Sequence, residues 1–185
     1  MEMLIEGFKN FNISKFMSTN PPSNYSFDTS QEIKELVKIP LNKRFVEEKD
    51  DIKSYFKKIG DRTGVEFYPE SIAEELIEQT APLIMKLKNH YKVLAKKMGI
   101  KLNDIEMASM KTPSYPSGHS VQGILIGNVL ATMFPLSAEE FIKAGKDISY
   151  SRNIARAHYK SDSKFGEAVG LELYKYLKQN NNGRF

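Results

Sequence analysis

The sequence predicts an all-α fold, a bundle of about six or seven helices. Three observations predict it. Apolar residues recur three and four apart through most of the chain, Pro and Gly stand where those patterns start and stop, and no alternating, β-rich run of useful length occurs. No internal repeat is present. The 185 residues suit one domain with a small appendage. A chain of that size buries roughly 70% of its unfolded surface without a metal or disulfide.

Residues 1–28 are polar, rich in Asn, Ser and Phe, and interrupted by Pro21-Pro22. They are expected to form an N-terminal arm or extension rather than a core element, docking on this domain or a neighbour's. The helical domain is expected over 29–179. Thr29 or Ser30 N-caps a short helix carrying Ile33, Leu36 and Val37, which closes before Pro40. Residues 43–58 read as one amphipathic helix with Phe45, Ile52, Tyr55 and Phe56 on its apolar side, and Gly60 to Gly64 as a loop. A long helical pattern runs from Glu70 to about Met98, where Pro82 is expected to kink or split it and Gly99 to stop it. Residues 100–118 read as a loop. A helix from about Ser117 carries Val121, Ile124, Leu125, Val129 and Met133; Ser137 with Glu140 reads as a capping box for the next. The last helix is expected from Ser163 to Gln179, with 180–185 as a frayed tail.

Composition excludes several chemistries. With no Cys there is no disulfide, thiolate zinc site, iron–sulfur cluster or cysteine nucleophile. The net charge of +4 comes from Lys spread along the chain, with no basic block of the kind that binds nucleic acid. The acidic start, Met1-Glu2-Met3, does not read as a secretory signal. The longest apolar stretch, Gly123 to Leu136, contains Asn128 and is shorter than the about 20 residues that span a bilayer. The expectation is a soluble, cytoplasmic protein with no integral membrane segment and no nucleic-acid partner. A homo-oligomer is left open.

Two segments carry candidate chemistry. The first is Pro116-Ser117-Gly118-His119. A Pro-Ser-Gly turn entering a helix points backbone N–H groups and the Ser117 hydroxyl at one spot beside the positive end of the helix dipole, and so makes an anion site. Gly118 lets the backbone approach the anion, and His119 at its edge can give a proton to a leaving oxygen. The bland alternative is an N-cap followed by a surface His. The second segment is Ser151-Arg152, five residues, His158, three residues, Asp162. On a helix, Arg152 and Arg156 lie one turn apart, as do His158 and Asp162. The fork of Arg152 can grip two oxygens of a tetrahedral anion, and Asp162 can fix the His158 tautomer, leaving the other ring nitrogen as a nucleophile. The bland alternative is an exposed His–Asp pair beside a solvated Arg. His90 has no partner in sequence and is expected at the surface; no metal trio follows from the three scattered histidines.

Together the segments, 31 residues apart, are more telling than either alone. The pattern Pro-Ser-Gly-His followed by Ser-Arg-x5-His-x3-Asp resembles the type 2 phosphatidic acid phosphatase (PAP2) superfamily, which includes bacterial non-specific acid phosphatases, lipid phosphatases and vanadium haloperoxidases. The likeness continues through Phe165-Gly166-Glu167 and Gly170 and covers about residues 70–178. It implies a PAP2-like helical bundle and a metal-independent phosphatase acting on a small phosphorylated substrate, a phosphomonoester or a related phosphate. His158 would attack phosphorus to form a phosphohistidine, Asp162 would orient it, and His119 would protonate the leaving alcohol and then activate water. Arg152, Ser117 and the Gly118 N–H would hold the non-bridging oxygens. No cofactor is implied. Vanadate fits as an inhibitor, or as the cofactor in the alternative reading of a vanadium-dependent haloperoxidase. A third reading is a catalytically weakened phosphate-binding protein on the same fold.

One family element is missing. The upstream Lys-x6-Arg-Pro motif has no counterpart: no Arg-Pro occurs, and no Arg lies between Arg62 and Arg152. Lys88, Lys92 and Lys111 are the candidates to face the phosphate in its place, and the sequence does not choose among them. A Lys is a point charge where the family has a bidentate fork. Two paired histidines predict a bell-shaped rate profile between about pH 5 and 7.

Overall fold

A computed structural model describes residues 7–23, 26–65, 68–91 and 112–181. Among these residues the protein is all-α, with seven α-helices and no strand: α1 Phe27–Lys38, α2 Lys43–Asp50, α3 Ile52–Thr63, α4 Tyr68–His90, α5 Gly118–Met133, α6 Ala138–Ile154 and α7 Lys160–Asn180. No helix among them is long and apolar enough to cross a membrane.

The hub is α5. Its residues Val121, Leu125, Ile126, Val129 and Leu130 are fully buried, and α4, α6 and α7 pack around it. Small residues set how closely. A Cβ on Gly127 would stand 2.7 Å from the Phe141 carbonyl of α6, and one on Gly166 of α7 would stand 2.6 Å from the Ser117 carbonyl. A Cβ on Gly145 would collide with the carbonyl of Gly123. These crossings fix the start of α5 against both α6 and α7, and the site is built there.

Gly145 gives a test in which two effects have opposite signs. Helix propensity alone makes Gly145→Ala stabilising by about 1 kcal/mol. The backbone contact makes it overpacking, which costs roughly 1–3 kcal/mol. Urea unfolding is expected to show net destabilisation.

Several expectations are corrected. Residues 43–58 are not one helix: Asp51 is an N-cap, its carboxylate accepting from Ser54 N at 3.1 Å and from the Ser54 hydroxyl at 2.7 Å, and it ends α2 and starts α3. Gly60 to Gly64 is not a loop. α3 continues to Thr63, and Gly64 closes it in the left-handed region at φ 75°. α1 starts three or four residues earlier than expected, capped not by Thr29 or Ser30 but by Ser26, whose Oγ accepts from Thr29 N at 3.2 Å. Of the two outcomes expected at Pro82, the split does not occur: α4 runs through it as a single element, and in the preceding turns the hydroxyl of Thr80 and the amide of Gln122 donate to the Leu76 and Ile77 carbonyls. Ser137 makes no side-chain cap to α6. α7 begins at Lys160, three residues before Ser163.

The N-terminal segment is also corrected where it is described. Phe8, Phe11 and Ile13 are buried in the main core rather than held in a loosely docked arm. Phe11 packs edge-on against Tyr176 of α7 with centroids 5.3 Å apart, and Phe16 meets Phe165 at 6.1 Å. These rings cover the flank of α7.

Candidate active site

Ser117 N-caps α5, as the sequence predicts: its Oγ accepts from Ser120 N at 3.3 Å. The loop before it is pinned. The Tyr115 ring stacks on Phe165 at 4.5 Å, and its hydroxyl donates to the Thr19 carbonyl at 3.0 Å. The start of α5 and the start of α7 are joined directly, since Ser117 N donates to the Asp162 carbonyl at 3.2 Å. The two sequence segments are therefore neighbours in space.

The second segment is not one continuous helix, which corrects the helical spacing expected for Arg152 and Arg156. α6 ends at Ile154, and Arg156 has a left-handed φ of 54°. The chain then folds back on itself. Ala157 N and His158 N both donate to the Arg152 carbonyl, at 3.0 and 3.3 Å, and the Asn153 amide donates to the His158 carbonyl at 3.0 Å. This turn sets His158 beside Arg152. Asp162, fully buried, accepts from Tyr159 N at 2.9 Å and faces the His158 ring, with Oδ2 3.7 Å from Nδ1. That separation suits an ion pair more than a hydrogen bond. A carboxylate facing Nδ1 favours the tautomer with hydrogen there and leaves the Nε2 lone pair for chemistry.

His158, His119, Gly118 and Lys88 line one open cavity of about 190 Å³, together with Ile84, Met85 and Thr112. Its size is below the roughly 300–1,000 Å³ of pockets that enclose whole small-molecule ligands. It suits a compact head group with the rest of the molecule outside. Of the three lysine candidates, the structure brings Lys88 to the cavity. Lys88 is 4% exposed, extends from α4, and its Nζ donates to the Pro113 carbonyl. Lys92 and Lys111 lie outside the described residues. Ser117 and Arg152 are fully buried beside the cavity rather than in its wall. His90 is at the surface, its Nε2 2.9 Å from the Met17 carbonyl. Among the described residues no group of three His, Asp or Glu side chains comes together that could hold a metal ion.

One residue of the site was not found from sequence. Asp50, the last residue of α2, accepts from Arg152 Nη1 at 2.9 Å, and the same oxygen stands 3.5 Å from His119 Nε2. The Asp50 carbonyl lies 3.0 Å from that Nε2. A carbonyl only accepts, so Nε2 carries the hydrogen and Nδ1 is the nitrogen at which His119 gains or loses a proton. At this helix junction Asp51 caps α3 and its neighbour Asp50 is turned inward.

Burial shapes the charges. It pushes the His158 ring down to about 4, with Lys88 and Arg152 adding to the shift and Asp162 opposing it. It pushes the Lys88 ammonium down to about 8, again against the pull of Asp162. Burial lowers Arg152 too, opposed by Asp50, but a guanidinium stays charged. For His158 the consequence for stability has a definite sign. Its folded value lies below the ordinary 6.5, so between those limits the unfolded chain binds more protons. The stability it contributes is complete above about pH 6.5 and is lost as pH falls toward about 4. One such group gives a slope of at most about 1.4 kcal/mol per pH unit. Urea unfolding across that window is expected to show this slope, and His158→Gln, which is uncharged throughout, is expected to lack it.

The chain is 42% identical over 68 residues to a non-specific acid phosphatase of Salmonella typhimurium, and 40% identical over 68 residues to one of Salmonella typhi. Each match covers 37% of this chain and spans only 27% of the relative's length. No protein-family model matches the chain.

Proposed function

We propose that the protein is a phosphatase that hydrolyses a phosphomonoester or related phosphate through a phosphohistidine on His158, without a metal ion. The observation that carries this reading is the convergence of His119 and His158 on one small cavity that also holds the Lys88 side chain and the Gly118 turn. The similarity to acid phosphatases over 68 residues supports the same class.

The steps follow from the atoms. The phosphoryl group sits with its non-bridging oxygens toward Lys88, Arg152 and the N–H groups at the start of α5. The Nε2 lone pair of His158 attacks phosphorus, and the P–O bond to the leaving alcohol breaks. His119 delivers its Nδ1 proton to that alcohol oxygen. In the second half His119, now neutral, takes a proton from water; the hydroxide oxygen attacks phosphorus and the P–N bond breaks. Phosphate leaves and both rings return to their starting states. Catalysis here is positioning plus charge stabilisation. Because burial lowers His158, the nucleophile stays unprotonated well into the acid range. The acid limb of the rate is therefore expected nearer pH 4 than the pH 5 that unperturbed rings imply.

Asp50 favours a second reading, the catalytically weakened phosphate binder. Its carboxylate holds Arg152 and stands close to His119, so an entering phosphate competes with it. An assay with a generic aryl phosphate in excess EDTA separates the readings. Turnover in EDTA supports the phosphatase. Phosphate binding without turnover supports the weakened protein, and turnover only on adding Mg²⁺ or Zn²⁺ contradicts the mechanism. Halide oxidation with vanadate and peroxide identifies the haloperoxidase alternative.

A further inference from the structure

The steps above draw on Lys88, Gly118, His119 and His158 and leave the rest of the cavity without a part. α4 supplies Ala81, Ile84 and Met85 to that remainder, α5 supplies Gln122, and Thr112 lies between. Exposure sorts the lining by depth. Lys88 and His158 are buried, while Ala81, Thr112 and Met85, the last 39% exposed, stand in the open part.

The spacing makes a wall. Ala81, Ile84, Met85 and Lys88 stand three and four apart, so they share one face of α4. At 1.5 Å per residue Met85 lies about 4.5 Å along the axis from Lys88, and Ala81 about 10 Å. A phosphoryl group held at Lys88 thus has carbon side chains along its way out. The polar neighbours offer little to a second anion. Gln122 spends its amide hydrogens inward, Nε2 donating to the Ile77 carbonyl and the Thr80 hydroxyl at 3.4 Å each. The partly exposed Asp50 carboxylate, 3.5 Å from His119 Nε2, adds negative charge on the side of the general acid. Among the described lining residues Lys88 is the one Lys or Arg; Lys86, next to Met85 in sequence, does not join it.

We infer that Met85, with Ala81 and Ile84, forms an apolar wall for the leaving group, so that the site prefers phosphomonoesters of uncharged, apolar alcohols to esters whose leaving group carries a second anion. This deepens the phosphatase reading and rests on it. Met85 determines specificity and takes no part in bond breaking. Two or three methylenes partly covered by such a wall correspond to about tenfold in affinity.

The test is calorimetric titration with alkylphosphonates, whose P–C bond is not hydrolysed, so binding is read apart from turnover. Butylphosphonate is expected to bind about tenfold tighter than methylphosphonate. 2-Carboxyethylphosphonate, of similar length but with a second anion, is expected to bind no tighter than methylphosphonate. Met85→Gln keeps the side-chain length and the helix propensity. It is expected to lower the butyl-to-methyl ratio about fivefold, and Met85→Leu to retain that ratio. A merely structural role for Met85 weakens both ligands together and leaves the ratio where it was. The same preference is expected in kcat/KM for butyl phosphate over glycerol 1-phosphate, both esters of primary alcohols. An unchanged ratio in Met85→Gln, or 2-carboxyethylphosphonate bound as tightly as butylphosphonate, overturns the inference and leaves the phosphatase reading intact where the esters are hydrolysed. Binding in the expected order with no turnover of butyl phosphate supports the wall and overturns the phosphatase reading. Binding of none of the phosphonates overturns both.

Discussion

His158→Ala is expected to lower kcat on an aryl phosphate by roughly 10⁴- to 10⁶-fold, the range lost when a covalent nucleophile is removed. The reason is structural as well as chemical. His158 is the group whose Nε2 is left open by a carboxylate on its other side, and the turn after α6 ties its backbone to Arg152 and Asn153. No other imidazole takes its place, since His119 is held at Nε2 by Asp50 and His90 is at the surface. His119→Ala is expected to behave differently. A nitrophenolate leaves without needing a proton, so phosphorylation of His158 proceeds while hydrolysis of the P–N bond loses its base. The variant is expected to give a burst of one nitrophenolate per site and then to stall. The phosphate it traps is expected to be acid-labile and alkali-stable, as phosphohistidine is. A steady slow rate with no burst contradicts the division of labour between the two rings.

Lys88→Met is expected to lower kcat/KM about 10²- to 10³-fold, the loss found on removing one donor from a buried oxyanion site. Lys88 is the cation that stands in the cavity wall itself, and in a buried, low-dielectric position its charge acts strongly on the anion. Its titration gives a second readout. Burial lowers it to about 8, so the ammonium is lost as pH rises through that value, and kcat/KM is expected to fall there. Lys88→Arg keeps its charge at every accessible pH. It is expected to restore part of the rate and to move the alkaline limb upward. A Lys88→Met enzyme with unchanged kcat/KM assigns the contact to the phosphate to a different residue.

Much of this site was legible in the sequence because its parts are short and local. Ser117 caps the helix that carries His119, and His158 precedes Asp162 at a spacing that survives even though the intervening chain is a turn and helix start, not one helix. The turn itself was hidden, because the left-handed φ falls on Arg156 and no Gly marks it. Lys88 could not be told from Lys92 and Lys111 by spacing alone; it follows the buried Leu87 and lies four residues after Ile84, both packed in the core, while Lys92 and Lys111 lie outside the described residues. Asp50 was out of reach. It lies 69 residues before His119 and 102 before Arg152 in sequence, and nothing in its neighbourhood states that α2 ends pointing at α5 and α6. The break at Asp51 was missed for a related reason, since Ile52, Tyr55 and Phe56 continue a helical apolar pattern across it and only the capping of Ser54 N by Asp51 betrays the junction. The N-terminal phenylalanines show the opposite limit. Composition reads that stretch as polar, yet three apolar residues, Phe8, Phe11 and Ile13, join the core and seat it against α7.

The central claim is that two histidines from distant segments grip opposite sides of one tetrahedral oxyanion. A crystal structure of the protein soaked with orthovanadate tests it most directly. The account predicts vanadium bonded to His158 Nε2, with His119 Nδ1 within hydrogen-bond reach of the oxygen on the opposite side and Lys88 Nζ on an equatorial oxygen. Vanadate bound elsewhere, or bonded to neither ring in the cavity that both line, contradicts it.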